Sequence, residues 1–308
     1  MVACVPCDRK ISGHQRARLG VCWLLPRLVL VIDPRGPEDR GPLTLAPILR
    51  VREISKRYGR RVVLDGFCLD IASGEIHGLL GPNGSGKSTA LHVIAGLIAA
   101  DSGGVRIKEV EVGEKRSRRH LGFAPDDLPL PTTLTGREYL EFHAAMRQTD
   151  DRRRRDLLVH ALDMETALDR AVGEYSHGMK RKIQLIAAVC HGPELVILDE
   201  PFRGLDPDAG LVLRHLVREI ARSGRAVLIA THDMLRAERD CDTVSILHAG
   251  ATVAQGVPAR LMADTKADSL EIVFMERTGL TAESAQRIEK VRLAYAETDR
   301  IRNGEREG

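Results

Sequence analysis

Apolar and polar residues alternate along Ile48-Leu49-Arg50-Val51-Arg52-Glu53-Ile54, a period of two that predicts a half-buried strand. A second such stretch runs from Val62 to Ile71 after a Tyr58-Gly59 turn. A third, Glu75 to Leu80, leads straight into a glycine-rich loop. Behind that loop Leu91, Ile94, Ala95 and Ile98 fall on one face at helical spacing. Residues 128–192 read mainly as helices. One begins at Thr135-Gly136-Arg137-Glu138, where Thr135 and Glu138 are spaced as a capping box, and others cover about 152–168 and 178–190. Strand–helix alternation then returns: strand Leu195–Leu198, helix 208–222, strand Ala226–Ala230, helix 234–239, strand Thr243–Leu247. Short apolar strands alternating with helices predict an α/β fold, a mainly parallel sheet covered by helices and interrupted by an inserted helical subdomain at about 128–192.

The ends lack this regularity. Residues 1–46 show no sustained period and are expected to form a poorly ordered extension. Residues 281–308 read as a charged tail, helical in part. The chain's 308 residues suit two domains, or one large domain with insertions. Its net charge of +3 lies in the first 46 residues, which carry seven basic and four acidic side chains. The remainder balances at 39 of each, so the body has no electrostatic footprint for sequence-independent nucleic-acid binding. No apolar run approaches the roughly 18 residues that span a bilayer. The nearest, Val21 to Ile32, is broken by Pro26 and Arg27 and lacks the small-residue cleavage site of a secretion signal, which argues for an intracellular chain. Among six cysteines only Cys4 and Cys7 form a CxxC pair; even with His14 and Cys22 nearby, no second CxxC or HxxxH completes a zinc site, and reduced thiols are expected.

Chemistry concentrates at two places. Gly81-Pro82-Asn83-Gly84-Ser85-Gly86-Lys87-Ser88-Thr89 matches the P-loop pattern, in which glycines let successive backbone N–H groups turn inward around phosphate and the next helix adds its positive end. Lys87 would reach the β- and γ-phosphates of a bound nucleotide, and the Ser88 hydroxyl would ligate Mg²⁺. In Leu195-Val196-Ile197-Leu198-Asp199-Glu200 an apolar strand delivers carboxylates at its C-terminal end, where ligands of such sheets bind. Asp199 would hold Mg²⁺ through water, and Glu200 would orient or deprotonate the attacking water.

Five further landmarks follow in order, and with these two they resemble the ATP-binding cassette (ABC) ATPases, over roughly residues 48–275. Tyr58 stands where that family stacks an aromatic on adenine. Leu121-Gly122-Phe123-Ala124-Pro125-Asp126 stands at the Q-loop. Tyr175-Ser176-His177-Gly178-Met179 resembles the signature motif, Gly204-Leu205-Asp206-Pro207 the D-loop, and His232 the switch histidine. The fold so implied is a P-loop NTPase sheet core with an N-terminal antiparallel β subdomain and the inserted helical subdomain, spanning residues 47–280. The sequence departs from the family at Asp126, where Gln is usual and where a carboxylate would approach Mg²⁺ or water, and at His177 and Met179 in the signature. Acidic residues at the Q-loop, and the Leu270-Glu271-Ile272-Val273-Phe274 segment, are similar to ATPase subunits of ABC-2-type exporters, including drug exporters.

The resemblance implies that two copies, or this chain and a paralogous cassette, pack head to tail. Each ATP would then lie between one P-loop and the Ser176 and Gly178 of the other subunit. Separate integral membrane permease subunits would do the translocating, with this chain peripheral on the cytoplasmic face of the membrane. Taken alone, several residues keep plainer readings: Tyr58 as turn packing, His232 as a cap on the next helix, Asp206 as a turn residue before Pro207. Tyr139, Phe142 and Met146 read as the inner face of the inserted helix, and the Leu128-Pro129-Leu130-Pro131 segment as part of a permease groove. Arg152 to Arg155, flanked by Asp150, Asp151 and Asp156, read as a solvated helix start. The principal alternative function is a non-transport ABC ATPase acting on ribosomes or DNA, against which stand the single P-loop, the absence of heptads and the neutral body. A P-loop kinase or GTPase is disfavoured by the tandem Asp199-Glu200 and the lack of a guanine-reading motif.

Overall fold

A computed structural model describes residues 47–126, 129–149, 151–280 and 286–294. The proposed N-terminal extension with its CxxC pair, Asp127, Leu128 and most of the charged tail lie outside these residues. Residues 286–294 of the tail are helical.

Strand β1 (Leu49–Tyr58) turns back into β2 (Arg61–Ile71), with Leu49 opposite Ile71 and Tyr58 opposite Arg61. On the other side of β1 lies β4 (Ser102–Ile107), antiparallel, followed by the short β5 (Val110–Glu111). These four strands form one sheet in the order β2-β1-β4-β5. The second sheet runs β10-β9-β3-β8-β7-β6, built from β3 (Ile76–Leu80), β6 (Leu121–Ala124), β7 (Leu195–Asp199), β8 (Ala226–Thr231), β9 (Thr243–His248) and β10 (Ala251–Gly256). Its strands are parallel except for β10, which pairs antiparallel with β9. Every residue of β3, β7 and β8 is buried, as expected of parallel strands covered on both faces.

One face of this sheet meets helix α1 (Lys87–Ile94) and the antiparallel sheet in a core that includes Leu49, Val51, Phe67, Leu91, Ile94 and Leu195. On the other face α4 (His177–Val189) and α5 (Pro207–Arg222) bury Leu185, Val189, Leu213 and Val217. Each such side chain removed from water stabilises the fold by about 1.5–3 kcal/mol. Helix α4 is two-sided. Its Ile183 and Ile186 turn away from the sheet to join Leu140 of α2 (Gly136–Arg147), Val159 of α3 (Arg152–Ala161), Met164 and Val172 in a separate helical core. Close approach of α4 to the sheet edge depends on Gly122 of β6, where an added methyl would collide with the Ala188 carbonyl oxygen and come within 2.8 Å of Pro193.

Both bonds of the expected capping box are present: Thr135 Oγ1 accepts from Glu138 N at 3.2 Å, and Thr135 N donates to the Glu138 carboxylate at 2.8 Å. The helix expected over 152–168 stops at Ala161, and a short 3₁₀ turn at Glu165–Ala167 follows. Asp151 caps that helix and pairs with Arg154 at 3.2 Å. Helix α6 (Met234–Asp240) leads into β9; α8 (Leu270–Thr278) packs over β9 and β10 through Leu270, Val273 and Phe274, and α7 (Pro258–Thr265) joins the same core through Leu261 and Met262.

One expectation is corrected. Of Tyr139, Phe142 and Met146, only Tyr139 is buried; Phe142 is 53% and Met146 68% exposed. They face a cleft between α2 and the sheet domain instead of the helical core.

Candidate active site

The C-terminal ends of β3, β7 and β8 lie side by side, with Leu80 opposite Thr231 and Asp199 opposite Ala230. The loops leaving these ends carry Lys87, Glu200 and His232. After β3 the chain enters the P-loop with Gly81 at φ 153° and Gly86 at φ 110°. Neither tolerates a side chain: a Cβ on Gly81 would strike the Leu247 carbonyl oxygen, and one on Gly86 would sit 2.7 Å from that of Val63. The loop is therefore a tight backbone cup, opening onto the first turn of α1, whose leading N–H groups have no acceptor within the helix. Ser85 Oγ is buried there with no partner among the described residues. Lys87 folds back into the cup and donates to the carbonyls of Gly81 at 2.7 Å and Pro82 at 3.1 Å. Burial pulls its pKa down, while the nearby Glu200 and Asp199 charges oppose that shift. Ser88 is exposed beside it and Thr89 half-buried.

Asp199 closes β7 and is almost fully buried. Its carboxyl is pushed up to about 6, by burial first and then by the charges of Asp126 and Glu200. Glu200 follows in a left-handed backbone conformation, φ 45°, which costs a non-glycine residue about 1–3 kcal/mol and persists where its surroundings hold it. The surroundings here do hold it. Glu200 N donates to Ala230 O at 2.9 Å, and its carboxylate accepts from Thr231 Oγ1 at 2.9 Å, His232 N at 2.9 Å and His232 Nδ1 at 2.6 Å. The carboxylate accepts, so Nδ1 carries the proton. Helix α6 is capped by Asp233, which accepts from Arg236 N at 2.9 Å, so His232 has no capping role.

Asp126 Oδ1 accepts from Arg181 Nη2 and its Oδ2 from Arg203 Nη1, both at 2.6 Å. Each oxygen thus pairs with a guanidinium group, which makes Asp126 an ion-pair partner of Arg181 and Arg203. Arg181, Arg203 and Thr231 are the residues that sequence reading missed. Buried arginine has no periodic signature, and only its place on the apolar side of α4 hinted at it.

Tyr58 is half exposed at the end of β1, with Lys56 Nζ 5.9 Å from the ring centroid, so the ring is not committed to internal packing. Ser176 caps α4 by accepting from Met179 N at 3.2 Å. His177 lies over Gly204, and a Cβ on Gly178 would come 3.1 Å from Gly204 O, so the Ser176–Gly178 turn abuts the loop before α5. Asp206 caps α5, accepting from Ala209 N at 2.8 Å, which gives it the turn-and-cap role of the plainer reading. Ser176 and His177 are exposed and Gly178 is half-buried, so this turn lies at the surface.

The profile of the ABC transporter family matches residues 64–203. A daunorubicin resistance ATP-binding protein, DrrA2, of Streptomyces coeruleorubidus is 33% identical over 74% of this chain and 73% of its own. The chain belongs to the ABC transporter family. The Nod factor export ATP-binding protein I of Burkholderia orbicola (strain AU 1054) is 34% identical over 75% of this chain and 77% of its own. Among solved structures, an ATP-binding subunit of an ABC transporter superposes with a TM-score of 0.72 at 32% identity, covering 75% of this chain and 99% of that one. A dimeric cassette bound to ADP and Pi shares the fold, with a TM-score of 0.62 at 23% identity. This ABC protein is thus an ATP-binding, ATP-hydrolysing transporter subunit, a reading its relatives support over that of a ribosome- or DNA-directed ATPase. Its curated relatives are subunits of exporter-type transporters, which implies association with permease subunits and dimerisation. No described helix is long and apolar enough to cross a membrane.

Proposed function

We propose that the chain energises export by closing head to tail on a second cassette, a copy or a paralogue, around two ATP molecules at the cytoplasmic face of the membrane. The convergence of Lys87, Asp199, Glu200 and His232 on one sheet edge carries this reading. Gly81 to Thr89 would wrap the phosphates, with Lys87 exchanging two carbonyl acceptors for phosphate oxygens. Tyr58 would stack on adenine. Ser176 and Gly178 would approach the γ-phosphate held by the partner subunit, and Asp206 would face the partner across the same interface.

The residues fit Mg²⁺. The glycine cup holds a buried Ser85 hydroxyl with no partner among the described residues, and Asp199 is a buried carboxylate whose neighbouring cations, Arg181 and Lys87, do not offset its burial and the charges of Asp126 and Glu200. Ser88 and Asp199 are oxygen donors of the kind Mg²⁺ takes, one or two from protein with the rest from phosphate and water. Bound Mg²⁺ supplies charge neutralisation at the transferring phosphoryl group. Glu200, held by three donors, would orient the attacking water and take its proton. His232 holds that carboxylate and presents its ring at the exposed edge of the site.

The permease would dock in the cleft of about 570 Å³ lined by Leu97, Phe123, Pro129, Leu130, Phe142 and Met146. Exposed apolar side chains gathered in one groove mark an interaction site. Purified Glu200→Gln protein tests the proposal. ATP should convert it from monomer to stable dimer in light scattering, with hydrolysis reduced at least 100-fold. A variant that stays monomeric at saturating ATP refutes the sandwich.

A further inference from the structure

Arg181 is 2% exposed, the most deeply buried charged side chain among the described residues. Its guanidinium joins three segments that are far apart in sequence. Nη1 donates to Pro125 O at 2.6 Å; Nη2 donates to Asp126 Oδ1 at 2.6 Å, Glu200 O at 2.8 Å and Asp199 O at 3.0 Å. The Glu200 carbonyl also accepts from Arg203 N at 3.1 Å, and Arg203 returns to Asp126 Oδ2. Helix α4, which carries Arg181, begins at Ser176. Five residues of helix, about 7 Å along the axis, therefore separate the signature turn at the surface from a clamp on the backbone of both catalytic-site carboxylates.

We propose that Arg181 is a positioning residue for ATP hydrolysis: its fork holds Asp199 and the left-handed Glu200 in register with the signature end of α4 and with the Pro125–Asp126 turn. Movement of α4 against a partner's nucleotide is thereby transmitted to the carboxylates that act on this subunit's own. Held by Arg181 and Arg203 from the carbonyl side and by Thr231 and His232 from the side chain, Glu200 keeps a conformation that local sterics disfavour. The inference rests on the reading of Glu200 and Asp199 as the hydrolytic carboxylates.

Arg181→Lys separates positioning from charge balance. The ammonium still neutralises Asp126 but cannot present a planar fork to the carbonyls of residues 125, 199 and 200 together. The expected result is an unchanged melting temperature within a few degrees, ATP affinity by fluorescent-analogue titration within about threefold of wild type, and kcat lowered at least tenfold. The double variant Arg181→Met/Asp126→Asn removes both charges and should bind ATP while staying equally slow. A lysine variant with wild-type kcat, or a double variant whose kcat recovers, reduces Arg181 to a charge partner and overturns the proposal. Wild-type protein that fails to hydrolyse Mg-ATP, or a Lys87→Ala variant that hydrolyses it normally, refutes instead the functional reading beneath it.

Discussion

Replacing Asp199 by Asn should stabilise the protein while abolishing its activity. The folded carboxyl titrates at about 6 against an ordinary 3.8, raised by burial first and then by Asp126 and Glu200, with Arg181 and Lys87 pulling the other way. An acid that keeps its proton to higher pH when folded is ionised at the expense of the fold. The cost is absent below about pH 3.8, grows between the two values and is complete above about pH 6. At 1.36 kcal/mol per unit, the full cost is about 3 kcal/mol. Asparagine has the shape and neutrality of the protonated acid, so Asp199→Asn recovers about 3 kcal/mol at pH 8 and about half of that at pH 5. In a domain of this size that is about 6–12 °C in melting temperature. Thermal unfolding in EDTA without nucleotide, from pH 5 to pH 8, reads the difference directly. A variant less stable than wild type at pH 8, or one whose gain is as large at pH 5, refutes the reasoning.

Two further predictions concern packing and docking. Gly122→Ala sets a methyl against the Ala188 carbonyl and Pro193, so α4 must shift off β6; stability should fall by about 1–3 kcal/mol in urea unfolding. Phe142→Glu places a charge in the apolar cleft without touching the nucleotide site. ATP hydrolysis by the isolated subunit should stay within about twofold of wild type, while co-purification with its membrane partner is lost.

Sequence patterning reached the parallel core because β3, β7 and β8 are short apolar runs that end in phosphate-binding or acidic loops. It missed β4 and β10, whose glycines and mixed polarity carry no clean alternation. It placed Thr135 and Glu138 correctly because a capping box is local chemistry. Phe142 and Met146 were misjudged because helical spacing says only that residues share a face, not whether that face meets core or an open cleft. The ion pairs of Asp126 escaped sequence reading for a related reason. Motif position put a carboxylate near the phosphates, but its partners are Arg181, 55 residues away, and Arg203, 77 residues away, a pairing only the tertiary fold creates.

The seating of His177 over Gly204 binds the histories of two loops together. A methyl at 204 would come within 2.5 Å of the imidazole Cδ2, and Gly204 already has φ 75°. Bulk at position 177 is thus admissible only while its neighbour across the turn remains bare, and adding bulk at 204 first requires trimming 177. Because one loop opens α4 and the other opens α5, positions 177 and 204 must change in step, and a cassette assembled from parts of differing relatives would clash at this seam wherever both carried bulk.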